Sequence, residues 1–147
     1  MELKELNDLT LLNEIINDSY IQNLVPEAKA IAHPLVKYYG CYKDNELMGF
    51  YLAIQYSKNE IELHSYLLKK AIVYSRIFGK LIINECFKNP NVTRLTAWIY
   101  EDLVKAQNYV KKIGFKLEGI KENAIYRKNK LTNIHMYGLI KEIKWDS

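Results

Sequence analysis

Apolar side chains recur at two spacings along the chain, and the spacing predicts where helices and strands lie. Over Leu9–Val25, apolar residues return every three or four positions, which predicts an amino-terminal helix. The period then changes to two over Tyr38–Tyr42 and Leu47–Gln55, and the turn-forming sequence Lys43–Glu46 joins these two segments. Because Ile61–Leu68 alternates in the same way, we expect a helix followed by three consecutive antiparallel strands.

The second half of the chain alternates between helical and extended patterns. In order, it predicts a helix over Ser75–Lys88, a strand over Thr93–Tyr100, a helix capped by Asp102 and running to Ile113, a strand over Phe115–Ile120, a polar loop over Lys121–Asn133 and a strand over Ile134–Ile143. Together with the first half, this order predicts a single α/β (α+β) domain over residues 1–147. Its sheet should be mixed, mostly antiparallel and twisted, with about six to seven strands flanked by helices.

Composition narrows the class of protein without identifying it. The 147 residues are 49% hydrophobic and 26% charged, which is typical of globular domains and excludes a disordered or fibrous chain. The net charge is +4, but the basic residues are scattered. Their densest cluster, Lys121–Lys130, contains Glu122 and is interpreted as a solvated loop, with RNA binding as the alternative. We therefore do not expect a nucleic-acid partner.

Cysteine and histidine positions argue against a metal site or a disulfide framework. Cys41 and Cys86 lie in apolar surroundings without CxxC spacing, and His33 and His135 share no metal-like spacing with another ligand. We expect no metal and a reducing, cytoplasmic location. The amino-terminal sequence lacks the apolar core of a signal peptide, and no run is long enough to span a membrane, so no membrane association is expected.

Three segments carry a resemblance to a known family. The first is AQNYVKKIGFKLEG, Ala106–Gly119, in which a helix ends at a Gly-Phe pair before a strand. The second is the strand Ile61–Leu68 followed by GKLIINECF, Gly79–Phe87, and the third is the terminal run His135–Trp145. These segments resemble the GNAT superfamily of acyl-CoA-dependent N-acyltransferases, and in particular its ribosomal-protein-type and phage-encoded members.

The resemblance implies acetyl-CoA as a co-substrate. In the family, the sheet splits beside the fourth strand, the pantetheine arm lies in the split, and the pyrophosphate lies at a helix start, where unpaired N–H groups favour an anion. Here the splitting strands would be Ile61–Leu68 and Arg94–Tyr100, and the helix would start at Ser75. The expected cofactor-binding residues are Tyr66, Leu67, Leu68, Lys69, Lys70, Ser75, Arg76, Gly79 and Lys80.

The chain departs from the family pattern at several positions. The glycine-rich pyrophosphate signature is reduced to Arg76-Ile77-Phe78-Gly79, while Leu103 and Val110 stand where the family often has a cofactor-contacting asparagine and a proton-donating tyrosine. These departures favour an alternative interpretation. In it, the protein is a catalytically degenerate GNAT-fold protein, phage-encoded, with a binding or structural role.

Acyl transfer to an amine needs a base, a polarised thioester carbonyl and a proton for the departing thiolate. In the family a backbone N–H at a bulge of the fourth strand polarises the carbonyl, which corresponds to His64–Tyr66 here. Glu62 and His64 lie two residues apart and so share one strand face, and either is a candidate base. Tyr109 is a candidate acid. The alternatives are a hydrogen-bonded structural histidine, a solvent-facing glutamate and a packing tyrosine.

The resemblance also suggests partners. The expected reaction acetylates an amine, which could be a protein N-terminus, a lysine or a small amine. A monomer and a homodimer both remain open, as does assembly into a larger particle. The expected setting is the cytoplasm of a bacterial or phage-infected cell, with virion association as a further option.

Overall fold

The computed structural model describes residues 1–26 and 28–142. Within them, the strands are β1 (Glu2–Leu6), β2 (Val36–Lys43), β3 (Glu46–Gln55), β4 (Glu60–Leu67), β5 (Arg94–Tyr100), β6 (Lys116–Arg127) and β7 (Lys130–Ile140). The α-helices are α1 (Leu9–Ile16), α2 (Ser19–Leu24), α3 (Ser75–Phe87) and α4 (Val104–Lys112). A 3₁₀ helix over Lys69–Tyr74 leads directly into α3.

The strands form one seven-stranded sheet in the order β1-β2-β3-β4-β5-β7-β6. Every neighbouring pair is antiparallel except β4 and β5, which are parallel. This arrangement confirms the predicted mixed, mostly antiparallel sheet. The parallel pair is short, because β4 and β5 pair only over Glu60–Glu62 and Arg94–Thr96 and then separate.

Helices cover the sheet on two sides and bury a separate hydrophobic cluster on each. On one face, α1 and α2 pack against β2 and β3, and the buried side chains include Leu12, Ile21 and Phe50. On the other face lie α3 and α4, with Phe78 and Val110 in the larger cluster. Because side chains alternate along a strand, β1, β2, β3 and β4 each contribute to both clusters.

The amino-terminal segment differs from the prediction in two ways. Residues Glu2–Leu6 form an edge strand. The sequence does not predict this strand, because the segment is short and mostly polar. The single helix expected over Leu9–Val25 is wrong, because the chain is divided between α1 and α2. The cause is Asp18, whose carboxylate accepts the N–H groups of Tyr20 and Ile21 and thereby starts a new helix.

The polar loop expected over Lys121–Asn133 is also wrong. Most of it lies in β6 and β7, which form a long hairpin whose turn places Lys128 and Asn129 at φ values of 51° and 63°. Strand β6 is the last in the sheet and most of its residues are exposed, so its sequence has the polar character of a loop. The basic cluster Lys121–Lys130 is therefore a strand and turn. The predicted last strand ends at Ile140, and Ile143 and Trp145 lie outside the described residues.

Asp102 has a different role from the predicted helix cap. Helix α4 begins after Leu103 without a side-chain cap. The Asp102 carboxylate instead accepts hydrogen bonds from Nε of Arg127 at 2.9 Å and from its Nη2 at 3.2 Å. The Arg127 guanidinium also lies 4.3 Å from the centre of the Tyr100 ring. The hairpin is thus joined to the end of β5 by a buried arginine.

We expect Asp102→Ala to lower the free energy of unfolding by about 3 kcal/mol, because it leaves the Arg127 guanidinium buried without its counter-charge. This is the low end of the range for a broken buried pair, since Asp102 is 48% exposed while Arg127 is only 3% exposed. Urea unfolding checks the value. Glu85→Ala, which breaks the exposed pair with Lys88, is the matched control and should cost less than about 0.5 kcal/mol. Equal losses in the two variants would contradict the prediction.

Candidate active site

The divergence of β4 and β5 opens a cleft in the middle of the sheet. Its cavity has a volume of about 420 Å³ and lies between the separated halves of the two strands, Leu63–Tyr66 and Ala97–Tyr100. On one face of the sheet the cleft is bordered by the end of α2, and on the other by α3 and α4. A volume of this size suits a small-molecule site.

The backbone of β4 is regular along the cleft. Its pairing with β3 runs from Gln55 opposite Ile61 to Gly49 opposite Leu67 without a register shift. The bulge expected near His64–Tyr66 is therefore wrong. Free backbone donors arise here from the departure of β5 instead.

Hydrogen bonds at the two ends of β4 show which of its main-chain groups face the cleft. The Glu60 carbonyl and the Leu68 N–H both bond to the β3 side of the sheet. Because backbone groups alternate in direction along a strand, the N–H groups of Leu63, Ser65 and Leu67 point toward β5. The Leu63 N–H completes the last rung of the ladder, where Glu62 pairs with Thr96. Beyond that rung β5 no longer pairs, so the Ser65 and Leu67 N–H groups face the cleft, and each is placed to hold an oxyanion or an amide carbonyl.

Glu62 and His64 meet on the α2 side of the sheet, as their spacing predicted. His64 Nε2 lies 2.8 Å from Glu62 Oε2, and both side chains are less than 20% exposed. Burial of the Glu62 carboxyl raises its pKa, but hydrogen bonds from His64 and Trp98 outweigh burial, and the net pKa is lowered from its ordinary value of 4.5. Glu62 is therefore ionised at neutral pH.

The ionised Glu62 determines the tautomer of His64. A carboxylate can only accept, so Nε2 carries a proton and donates it to Glu62, which makes Nδ1 the nitrogen with the lone pair in the neutral ring. The Trp98 ring meets the His64 ring edge to face, with centroids 5.0 Å apart. His64 also lines the cleft. The pair thus has the arrangement of a base held by an acidic partner.

Tyr109, the candidate acid, is held in a hydrogen-bonded network between α4 and α3. Its hydroxyl donates to the Ser75 carbonyl at 2.9 Å and accepts from the Tyr51 hydroxyl at 2.8 Å. Burial raises the pKa of Tyr109 to about 12, although the Tyr51 hydrogen bond opposes the shift. Tyr109 borders the cleft, but its proton is directed at Ser75.

The residues expected at the pyrophosphate lie around the 3₁₀ helix and the first turns of α3. Lys69 and Arg76 are exposed there, as is Lys80, and Lys70 is paired with Glu46. The α-helix begins at Ser75 as predicted, but the Ser75 N–H donates to the Ile72 carbonyl and is not free.

Gly79 lies one turn inside α3 and is buried against α4. A Cβ atom at this position would overlap the Tyr109 hydroxyl and approach Ile113 Cδ1 at 3.0 Å. The glycine therefore allows Tyr109 to approach the helix. This packing explains the residue without a phosphate contact.

Several cleft residues were missed from the sequence. Trp98 and Tyr100 project from β5 toward the α2 side, where Ile21, Leu24 and Val25 form the opposite wall. In the sequence, Thr96, Trp98 and Tyr100 alternate and so share one face of the strand, which is the signal for these residues. It indicates a cleft only when the separation of β4 and β5 is known.

Residues 1–26 and 28–142 contain neither a cluster of metal ligands nor a membrane-spanning helix. In that part of the chain, no three His, Cys, Asp or Glu side chains come close enough to hold a metal ion. No helix there is long and apolar enough to cross a membrane. Cys41 and Cys86 are both buried, each as a free thiol.

Comparison with known proteins identifies the family. A family model described as "Acetyltransferase (GNAT) domain" matches residues 3–137. The chain therefore belongs to the GNAT acetyltransferase family, whose members are N-acetyltransferases with acetyl-CoA as co-substrate. No curated protein sequence matches the chain.

Solved structures with the same fold cover nearly the whole chain. A spermidine N-acetyltransferase from Vibrio cholerae, in complex with CoA and spermine, is 13% identical with a TM-score of 0.81, covering 95% of this chain and 94% of that one. An N-acetyltransferase from Staphylococcus aureus Mu50 is 18% identical with a TM-score of 0.74, covering 95% and 96%. A GNAT acetyltransferase from Bacillus anthracis is 16% identical with a TM-score of 0.76, covering 94% and 93%. At these identities the likeness establishes the fold.

Proposed function

We propose that the protein transfers an acetyl group from acetyl-CoA to an amine in the β4–β5 cleft, with His64 as the base. The observation that carries this proposal is the Glu62–His64 pair beside the cleft. An amine must lose a proton to become an amide, and a neutral imidazole is a suitable acceptor near pH 7. The chain departs from the family pattern at Val110, but this departure does not affect the Glu62–His64 pair.

Each residue of the pair has a distinct role. Nδ1 of His64 takes the proton that the attacking amine loses, and Glu62 stabilises the imidazolium that forms. Acetyl-CoA supplies the acetyl group as a thioester. One N–H group of the free β4 edge, at Ser65 or Leu67, stabilises negative charge on the carbonyl oxygen as the carbon–nitrogen bond forms and the carbon–sulfur bond breaks. CoA leaves as the thiolate and takes up one proton from solvent, while the imidazolium returns its proton to solvent, so the products are the amide and CoA with a free thiol.

Residues on the α3 side of the sheet fit the cofactor. The other of the two N–H groups that β5 leaves free, together with the Ser65 carbonyl that points the same way, can pair with the amides of a pantetheine arm, as an added strand would. The basic side chains at Lys69, Lys70, Arg76 and Lys80 supply positive charge for the phosphates. Tyr66, Leu67 and Leu68 belong to the proposed cofactor site because they lead from the cleft to this basic segment.

The acceptor within the amine class remains a proposal. Resemblance to ribosomal-protein-type members suggests a protein N-terminus or lysine, whereas the spermidine enzymes of the same fold suggest a small amine. Action in the cytoplasm of a bacterial or phage-infected cell is proposed on the same resemblance.

Thermal unfolding with acetyl-CoA tests the proposed function. Ligand at 100 times its dissociation constant adds about 2.7 kcal/mol to stability, which for a domain of this size raises Tm by about 8 °C. We expect Arg76→Glu to reduce the shift at fixed ligand concentration. Lys58→Glu, with the same charge change in the exposed β3–β4 turn, is the control and should retain the full shift. No shift at millimolar acetyl-CoA would overturn the proposal.

A further inference from the structure

The walls of the β4–β5 cleft carry no full charge in the part of the chain that the structure describes. Among those residues, no Asp, Glu, Lys or Arg lines the cavity. Its polar groups are His64, Ser65, the Trp98 indole and tyrosine hydroxyls, and the remaining lining is aliphatic or aromatic. This composition constrains the acceptor amine, an inference that rests on the proposed function.

Among the described residues, the two β4 carboxylates beside the cleft, those of Glu60 and Glu62, are already engaged. Glu60 accepts the Thr96 hydroxyl at 2.7 Å and lies 3.8 Å from the Arg94 guanidinium. The same guanidinium binds Glu118, with Nη2 2.6 Å from Oε1. Glu62 is occupied by His64. None of these groups offers an open counter-charge for a second ammonium group.

The α2 side of the cleft instead offers an apolar slot. Leu24 and Val25 at the end of α2 form one wall, and the rings of Tyr66, Trp98 and Tyr100 lie on the other side. Aromatic faces and aliphatic side chains bind an apolar body by removing its surface from water, at about 25 cal/mol per Å².

The number of ammonium groups that an amine carries decides whether it suits such a slot. A linear polyamine carries two or more ammonium groups, and burying each without a counter-charge is costly. A monoamine brings one nitrogen, which gives up its proton to His64, and its remaining atoms can pack against the rings. We propose that the acceptor is a primary monoamine with an aromatic or branched aliphatic body, and that polyamines are poor acceptors.

Acetylation and binding assays together test this assignment. With saturating acetyl-CoA, kcat/KM for 2-phenylethylamine should exceed that for spermidine by at least about 10-fold, which corresponds to one buried, well-packed apolar group. Calorimetric titration of the CoA-loaded protein with each amine should show that 2-phenylethylamine binds more tightly than spermidine. Equal or better use of spermidine, in binding or in turnover, overturns the assignment.

A single substitution should reverse the preference. Leu24→Glu places a carboxylate in the apolar wall, so we expect the ratio of kcat/KM for 2-phenylethylamine to that for spermidine to fall about 10-fold or more. Leu35→Glu is the control, because Leu35 is 51% exposed and lies outside the cavity lining, and its ratio should not change. An unchanged ratio in Leu24→Glu overturns the assignment.

The assays also separate this assignment from the proposed function. If amines are acetylated but spermidine is the preferred acceptor, the proposed function is supported and the assignment of the acceptor class is wrong. If no amine is acetylated, the proposed function fails, and the calorimetric order of affinity then decides only whether the slot prefers a monoamine or a polyamine as a bound ligand.

Discussion

Alanine in place of His64 is expected to lower kcat/KM for amine acetylation by about 10²–10⁴-fold, the range for removal of a positioned general base. The reason is the loss of Nδ1, which is the proton acceptor made available by the Nε2 bond to Glu62. Binding of acetyl-CoA should be unaffected, because the proposed cofactor contacts come from the backbone of β4 and from the basic segment before α3. Steady-state kinetics and the thermal shift with acetyl-CoA measure the two effects separately.

Two further variants sharpen this test. Glu62→Gln keeps a hydrogen-bond acceptor but removes the charge that stabilises the imidazolium, so we expect a smaller loss of about 10-fold or more. His33→Ala removes an exposed histidine outside the cleft lining and should leave the rate unchanged. A loss below about 3-fold in the alanine variant of His64, with normal acetyl-CoA binding, would show that another group takes the proton.

Gly49→Ala should have the largest effect on stability, lowering the free energy of unfolding by about 3–5 kcal/mol. Gly49 has a φ of +139°, a conformation that side-chain-bearing residues rarely adopt. A Cβ there would also overlap the Tyr66 carbonyl and lie 2.7 Å from Leu67 Cα. Since both neighbours are backbone atoms of β4, the strand itself would have to move. Urea unfolding measures the loss.

Gly119→Ala is the matched control for that variant. Gly119 is exposed on β6, and a Cβ added to it would meet nothing within 4 Å. The free energy of unfolding of Gly119→Ala should differ from that of the unsubstituted protein by less than about 0.5 kcal/mol. If the two alanine variants unfold at the same urea concentration, close approach at Gly49 is not a constraint on the sheet.

Segments with one buried face were predicted well from the sequence. Strands β2, β3 and β4 alternate clearly, and the two-residue spacing of Glu62 and His64 correctly placed both on one face. Helix α3 was also predicted to within a residue, because its apolar residues repeat at helical spacing and Asn89-Pro90 follows it. Local patterns of this kind depend only on neighbouring residues.

Features that depend on distant residues were not predictable in this way. The sequence predicts strands at the base of the β6–β7 hairpin but a loop over its outer part, Lys121–Asn133, because an edge strand with two solvated faces has no apolar alternation to reveal it. The absence of a bulge in β4, the partner of Asp102 and the close approach of Tyr109 to Gly79 all involve contacts between distant segments. A single sequence contains no signal for such contacts.

The two hydrophobic clusters on opposite faces of the sheet have a consequence for how the domain tolerates change. Substitutions in α1 and α2 disturb the cluster around Phe50, while substitutions in α3 and α4 disturb the one around Phe78. Because these helices share no cluster, stability effects from the two sides should add, with little coupling. Over evolutionary time, the α2 wall of the cleft, where the acceptor is proposed to bind, can therefore be rebuilt while the half that would hold the cofactor stays as it is.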